Sequence, residues 1–360
     1  MKKTVTLLTM AVLVVVAYSC KKNTGTSALK TVSLVLPATT EEFYPNNGGG
    51  AFTDSLNRVA TLGKVLFYDG HLSINNAVSC GSCHKQALGF ADNKTLSVGF
   101  EGKLTKRNSI GFNNIGFATS LFWDGRENNL NHLAIRPLTN HVEMGVTDES
   151  YLPAKLSALA YYSPLFQNAF GDNQVTNERI SSAIAIFMRS INSSNSRFDQ
   201  YNNGNKEAMT ALELQGMSLF TNKYNCATCH SSSFGGYYGF NNFKDIGLDE
   251  NYADNGRGTI SANKSEQGTF RIPNLRNVAL TAPYMHDGRY ATLNDVLEHY
   301  SHNIKNSPNL DPLLKDKDGN ARAMNISDNE KQAIIAFLNT FTDYTTVVDA
   351  KFSNPFKVID

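Results

Sequence analysis

Cys80-Gly81-Ser82-Cys83-His84 and Cys226-Ala227-Thr228-Cys229-His230 are the stretches of this sequence whose residue types and spacing can do redox chemistry. In a Cys-x-x-Cys-His string two thiols can be joined to a porphyrin by thioether bonds while the adjoining His ligates the iron. Four thiolates from two such pairs could instead hold a structural zinc, and a single pair could cycle as a redox disulfide. Neither alternative accounts for a His directly after both pairs. The chain has five Cys, and the fifth, Cys20, stands apart at the end of an apolar run. The arithmetic favours two covalently bound haem c groups, held by Cys80, Cys83, Cys226 and Cys229 with His84 and His230 as iron ligands.

The elements that position these strings begin after a leader. Lys2 and Lys3 precede an apolar run from about Val5 to Tyr18, too short to span a bilayer comfortably and laid out as an export signal. Ala17-Tyr18-Ser19-Cys20 resembles a bacterial lipoprotein processing site, with Cys20 as the lipidated first residue. An ordinary signal peptide with an incidental Cys is the alternative. Both place the mature chain outside the cytoplasm, in the periplasm, and the first tethers it to a membrane through a lipid with no spanning helix. Residues 1–20 are therefore read as signal and 21–50, ending in Gly48-Gly49-Gly50, as linker. What remains exceeds one usual core, so two domains are expected. With 33 basic and 32 acidic side chains, the charge balance argues against nucleic acid as a partner.

The rest of the chain says the same thing twice. Gly63-Lys64-Val65-Leu66-Phe67 precedes the first string and Gly216-Met217-Ser218-Leu219-Phe220 the second. Downstream, Phe122-Trp123-Asp124-Gly125-Arg126 answers Met285-His286-Asp287-Gly288-Arg289, with Leu130 and Leu293 at matching offsets. Three paired motifs in one order predict an internal duplication: a mainly α chain of two cytochrome c-like haem domains, residues 51–205 and 206–345, with 346–360 as a C-terminal tail. Ile180, Ile184, Phe187, Met188 and Ile191 share one helical face behind a capping Thr176, and this helix is expected to bridge the halves. Ser327-x-x-Glu330 is a capping box opening a helix with Ile334, Phe337, Leu338 and Phe341 inward.

As a set, these strings resemble the bacterial di-haem cytochrome c peroxidase and MauG family. The resemblance runs from about Leu62 to Phe341 and includes Arg107-Asn108, Val142-Glu143-Met144-Gly145, Leu275-Arg276-Asn277 and Pro283-Tyr284-Met285-His286-Asp287-Gly288. It implies an N-terminal haem where hydrogen peroxide reacts and a C-terminal haem that relays electrons from a small cytochrome c or cupredoxin. By the same resemblance Trp123 is the bridge between the haems and Glu143 the distal acid. Cleaving the O–O bond of a bound peroxide requires a proton moved from the inner to the outer oxygen before water leaves, which is work for a carboxylate. A Ca2+ between the domains is implied at Asn108, Thr281 and Pro283, neutral oxygen donors that suit a hard cation. Homodimers are common among relatives, although no patch in this sequence demands one.

The departures from the family pattern are as informative. Relatives that need reductive activation place a second His on the peroxide haem, and here Phe100 stands at that position, so this iron is expected to stay open opposite His84. At the second haem the position commonly filled by Met is Tyr300, as in MauG-type oxidases, and a Tyr ligand lowers the potential. The alternative has Tyr300 merely packed below Val296 on a helix, with Met285, Met324, His299 or His302 as ligand, or none. Leu133 stands where relatives often have Gln, which makes the peroxide pocket more apolar. His71 replaces a common Arg, and His141 lies two residues before Glu143. Three functions follow: a peroxidase, a MauG-like oxidase acting on a partner protein, and a non-enzymatic di-haem electron carrier. Phe100 and Glu143 speak against the carrier, and the peroxidase is the expectation carried forward.

Overall fold

The computed structural model describes residues 31–34, 42–44, 50–148, 150–230 and 242–359. The expected signal and Cys20 lie outside these residues. Helices and helical turns make up most of the regular structure, with two short antiparallel pairings, Thr31–Leu34 with Phe356–Ile359 and Phe243–Lys244 with Phe270–Arg271. Among the described residues no helix is long and apolar enough to cross a membrane.

Each half is organised by one close helix crossing, and the two crossings match. In the N-terminal half the helix Gly50–Tyr68 packs on Asn177–Ser190. A Cβ on Gly63 would overlap the Ala183 carbonyl oxygen and come within 2.8 Å of Phe187 Cβ. In the C-terminal half Ala211–Ser218 packs on Asp328–Asn339, where a Cβ on Gly216 would overlap the Ala333 carbonyl and reach 2.9 Å from Phe337 Cβ. Only glycine lets two backbones approach this closely, which explains why both Gly-x-x-x-Phe strings begin as they do. Phe67 and Phe187 then enter one buried cluster, and Phe220 and Phe337 a second.

Two asparagines repeat the same device one layer out. Asn114 and Asn277 both adopt left-handed backbone (φ 61° and 56°), a conformation their short amide side chains tolerate. Asn114 donates its N–H to Ile191 O and accepts from Ser193 N, while Asn277 donates to Phe341 O and accepts from Asp343 N. Each thereby pins the chain just past its half's second helix.

The caps read from the sequence are present. Thr176 Oγ1 accepts from Arg179 N at 3.2 Å, and Ser327 and Glu330 form a reciprocal box at the start of Asp328–Asn339. The Asn177–Ser190 helix does not bridge the halves as expected. It packs on Gly50–Tyr68 and on Leu130–Thr139, and its Ile180, Ile184, Phe187 and Met188 belong to the N-terminal core. Periodicity identifies the buried face of a helix but not what covers it. The segments set aside as linker and tail also meet. Beyond the strand pairing, Phe43 and Phe352 are buried in the N-terminal core, and Tyr68 Oη donates to Phe352 O at 2.7 Å. The end of the chain thus returns from the second half to close the first.

Candidate active site

Both Cys-x-x-Cys-His strings fold into single helical turns that bring the His back over the first Cys. His84 N donates to Cys80 O at 2.9 Å and His230 N to Cys226 O at 3.0 Å. None of these four Cys forms a disulfide, and among the described residues no three His, Cys, Asp or Glu side chains converge as a metal cage, so the zinc and disulfide readings find no geometry. Burial pushes the Cys80 and Cys226 thiols up to about 12 and Cys83 to about 11, a setting for inert thiols rather than for free thiolates. Burial also lowers both imidazoles, His230 to about 4, which keeps them neutral as iron ligation requires. His84 Nδ1 meets Phe90 O at 2.8 Å, and the Phe112 ring packs 4.7 Å from the imidazole, so its Nε2 is left to face a ligand. At His230 the Pro273 carbonyl offsets burial in part, yet Nδ1 has no hydrogen bond of good geometry.

A mostly apolar cavity of about 290 Å³ opens in front of the second string, in the size range of small-molecule and cofactor pockets. Cys226, Cys229 and His230 line it, and Tyr300, Met285 and Met324 face the same space. Two of the alternative ligands, His299 and His302, have other partners in this structure. His299 engages Ile246 O through Nε2 at 2.9 Å and the Tyr290 hydroxyl through Nδ1 at 3.3 Å, and His302 pairs with Glu298 at the surface. Tyr300 sits in a π-helical turn, His299–Asn303, a distortion that often marks a functional position. Burial and the nearby Cys226 and Cys229 raise its phenol above the ordinary range.

Trp123 lines this cavity too and lies where the halves meet. Its Nε1 donates to Asn108 O at 2.9 Å. Asn108 N in turn donates to His286 O at 2.8 Å, and Arg271 N donates to Trp123 O at 2.8 Å. Trp123 and His286 hold the same place in the paired Asp-Gly-Arg strings, and Asn108 and Arg271 stand equally far upstream of them. The contact between the halves is therefore reciprocal, each Asp-Gly-Arg turn receiving a backbone bond from the other half. Both turns also share left-handed residues, Phe122 and Gly125 in one and Met285 and Gly288 in the other. Asn108, Thr281 and Pro283 line the same cavity. The Asn108 amide nitrogen is taken by Lys94 O and Thr95 O, which leaves its Oδ1 as the available donor to a cation.

Glu143 lies at the first string, close enough that its charge acts on Cys80 and Cys83. Burial raises its carboxyl above the usual range, with Arg126 and a 2.7 Å bond from Asn140 Nδ2 offsetting part of that. Arg126 lies 3.5 Å over the Phe122 ring and 3.0 Å from Asp124. The Phe100 turn is fastened to the Glu143 turn, since Phe100 N donates to Val142 O at 2.8 Å and Glu143 O at 2.9 Å, and the Phe100 ring packs on Gly145. Leu133 packs partly buried against the N-terminal core, and His141 is exposed. His71 is held by Asp69 at 2.7 Å rather than directed at either string.

Sequence reasoning missed Arg271. It is buried, lines the cavity beside Trp123, and donates from Nε to Phe122 O at 3.0 Å. The signal was present, because the spacing that pairs Trp123 with His286 also pairs Asn108 with Arg271. The salt link from Arg107 to Asp124 (2.6 Å) and Asp254 (2.7 Å) was missed as well, and its two carboxylates are too distant in sequence to be paired by pattern.

A helical chain with two Cys-x-x-Cys-His turns, neutral buried imidazoles and an apolar cavity between matched halves is the architecture of a two-haem c-type oxidoreductase. The family model described as di-haem cytochrome c peroxidase matches residues 57–207. Methylamine utilization protein MauG of Methylorubrum extorquens is 34% identical over 282 residues, covering 78% of this chain and 76% of that protein. Cytochrome c551 peroxidase of Nitrosomonas europaea is 34% identical over 244 residues, 67% of this chain and 72% of that one. A crystal structure described as a MauG-like protein associated with microbial copper homeostasis aligns with a TM-score of 0.75 at 31% identity, over 83% of this chain and 93% of that chain. The chain belongs to the di-haem cytochrome c peroxidase family. Membership makes it an oxidoreductase of the di-haem peroxidase class, with two c-type haems.

Proposed function

We propose that this protein reduces hydrogen peroxide to water at the centre built on Cys80, Cys83 and His84. Electrons from a small cytochrome c or cupredoxin enter at the centre built on Cys226, Cys229 and His230 and cross by way of Trp123. The observation that carries this reading is the placing of Glu143: a partly buried carboxyl of raised pKa beside the first string, oriented by Asn140 and fastened to a turn whose residue, Phe100, cannot ligate iron. Haem bound at the first string supplies the iron that peroxide coordinates and the electrons that break its O–O bond. Glu143 takes the proton from the inner peroxide oxygen and returns it to the outer one, so that the leaving group is water. Asn140 fixes which carboxyl oxygen faces the substrate, and Arg126 keeps the ionised form accessible despite burial. Trp123 offers an indole between the halves, wedged by the reciprocal backbone bonds of Asn108 and Arg271.

The supporting assignments are proposals of the same standing. Residues 51–205 and 206–345 are the two haem domains, descended from one duplicated unit. Ca2+ binds at Asn108 Oδ1 and the carbonyls of Thr281 and Pro283, with water completing the shell. Export to the periplasm, with a lipid on Cys20, and assembly as a homodimer complete the reading. A second function is favoured by one observation. Tyr300 lines the same cavity as His230, and with haem bound there its phenolate would ligate the iron and lower its potential, which would suit a MauG-like oxidase drawing electrons from a partner protein. Steady-state oxidation of reduced cytochrome c by peroxide decides between them. Sustained turnover supports the peroxidase, whereas a long-lived oxidised state with no cytochrome turnover supports the oxidase and removes the first reading.

A further inference from the structure

The Asp69 carboxylate, 1% exposed, receives four hydrogen bonds. Tyr161 and Tyr162 donate their hydroxyls to Oδ2 at 2.7 and 2.6 Å, and the His71 backbone and Nδ1 reach Oδ1 at 2.8 and 2.7 Å. The backbone bond caps the turn Gly70–Leu72, but that cap needs neither phenol. The two tyrosine rings pack at a tilt of 42° with centroids 4.7 Å apart. Tyr162 is sealed, whereas Tyr161 is partly exposed and His71 keeps 40% of its side chain in solvent. The cluster is also joined to the first string. Tyr68, directly before Asp69, lays its ring on Gly81, where a Cβ would come within 2.7 Å of Tyr68 Cε1. From Cys80-Gly81 to the Tyr161 hydroxyl, the path is one van der Waals contact, the bonded Tyr68 and Asp69 residues, and one hydrogen bond.

A phenol yields an electron readily only when its proton has somewhere to go, because the oxidised phenol is a far stronger acid than the resting one. The Asp69 carboxylate oxygen, 2.7 Å from the Tyr161 hydroxyl, is such an acceptor. Trp123 differs in this respect, since its N–H points at a backbone carbonyl that cannot take the proton. We propose that Tyr161 is a second oxidation site, at which oxidising equivalents generated by peroxide at the first haem reach the surface and are consumed by small phenolic reductants. This rests on the peroxide reading above.

For each equivalent, Tyr161 gives one electron toward the first haem and its hydroxyl proton to Asp69, leaving a phenoxyl oxygen. A phenol at the exposed edge of Tyr161 then loses the hydrogen atom of its O–H bond to that oxygen, which restores Tyr161 and leaves a substrate phenoxyl radical. Asp69 releases its proton to water beside His71. Two such turns and the two protons released reduce one peroxide to two water molecules.

Tyr161→Phe in the holoenzyme keeps the ring that packs against Tyr162 and removes only the hydroxyl. With guaiacol as reductant, peroxide-driven oxidation should fall by about tenfold or more, while oxidation of reduced cytochrome c is unchanged and the tyrosyl EPR signal of the freeze-quenched wild type disappears. Wild type turned over with peroxide and guaiacol should carry guaiacol adducts on the Tyr161 peptide by mass spectrometry, a readout that needs no variant. Guaiacol oxidation at the wild-type rate in Tyr161→Phe overturns the proposal. So does wild type that consumes peroxide yet shows neither adduct nor tyrosyl signal. Wild type that consumes no peroxide with either reductant removes the peroxide reading and this site together.

Discussion

Replacing Glu143 by Gln removes the proton carrier and keeps its shape. Asn140 Nδ2 donates to Oε1 at 2.7 Å, and Gln offers the same oxygen. The bonds from Phe100 to Val142 and Glu143 use backbone atoms alone, so the turn should stand. A positioned acid–base group contributes about 10²- to 10⁴-fold to a rate, which at about 1.36 kcal/mol per decade is a barrier change of about 3 to 5 kcal/mol. Peroxide consumption should fall by that factor, with haem content by pyridine haemochrome unchanged. The acid limb of the kcat/KM profile, where wild type loses its carboxylate as pH falls through the raised Glu143 pKa, should vanish. Stability moves the other way. Burial raises this carboxyl above its unfolded value, so its contribution is fully present below the unfolded pKa and is lost as pH rises through the folded one. At neutral pH the ionised group is therefore a cost, and the Gln variant should melt at or above the wild-type temperature. Activity within about tenfold of wild type, with the acid limb still present, refutes the role; a lower melting temperature at neutral pH refutes the burial argument.

Three further outcomes follow from the geometry. Trp123 Nε1–H donates to a carbonyl, and the neighbouring Asp124 carboxylate is committed to Arg107 and Arg126, so electron passage between the haems should run at the same rate in heavy water and slow sharply in Trp123→Phe. A solvent isotope effect on that step would show that a proton moves with the electron. Tyr300→Phe should change the EPR spectrum of the second haem and raise its potential, while an unchanged spectrum transfers the ligand role to Met285 or Met324, which face the same cavity. Gly63→Ala and Gly216→Ala should each destabilise by about 1 to 3 kcal/mol or more through overpacking at matched crossings, read as lowered melting temperatures. A variant that melts like wild type would mean that its crossing has room to open.

The haem strings, the two matched Gly-x-x-x-Phe starts and both caps were legible because each is local: a few residues whose chemistry or periodicity is complete within one turn or one helix. Glu143 and Phe100 were legible only through the family resemblance. What joins them, backbone bonds between turns some forty residues apart, leaves no mark in side-chain pattern. The same limit hid the return of Phe352 to the first core and assigned Asn177–Ser190 a bridging place it does not have. Arg271 is the intermediate case, since the repeat pointed to it once Asn108 was known to matter.

The matched positions of the two halves carry unlike side chains. The backbone exchange between the halves is symmetric, Asn108 N to His286 O and Arg271 N to Trp123 O, while the side chains at those places are not: an indole answers an imidazole and an amide answers a guanidinium. The two imidazoles proposed as iron ligands differ as well. His84 Nδ1 meets the Phe90 carbonyl at 2.8 Å, whereas His230 Nδ1 has the Pro273 carbonyl beside it in poorer hydrogen-bond geometry. The better hydrogen-bonded imidazole would be the more basic ligand, and with haem bound as proposed this would favour the oxidised state at the first site. At the second site Tyr300 lines the same cavity as His230, and the ligand role proposed for it would set that site apart. Shortening the His84 to Phe90 link is out of reach of mutation, but lengthening it is not. Any core substitution that displaces the Phe90 backbone, with the Cys80 and Cys83 attachments intact, should raise the potential of the first haem and leave the second unmoved. Equal shifts at both haems would mean that the imidazole bond does not set the difference between them.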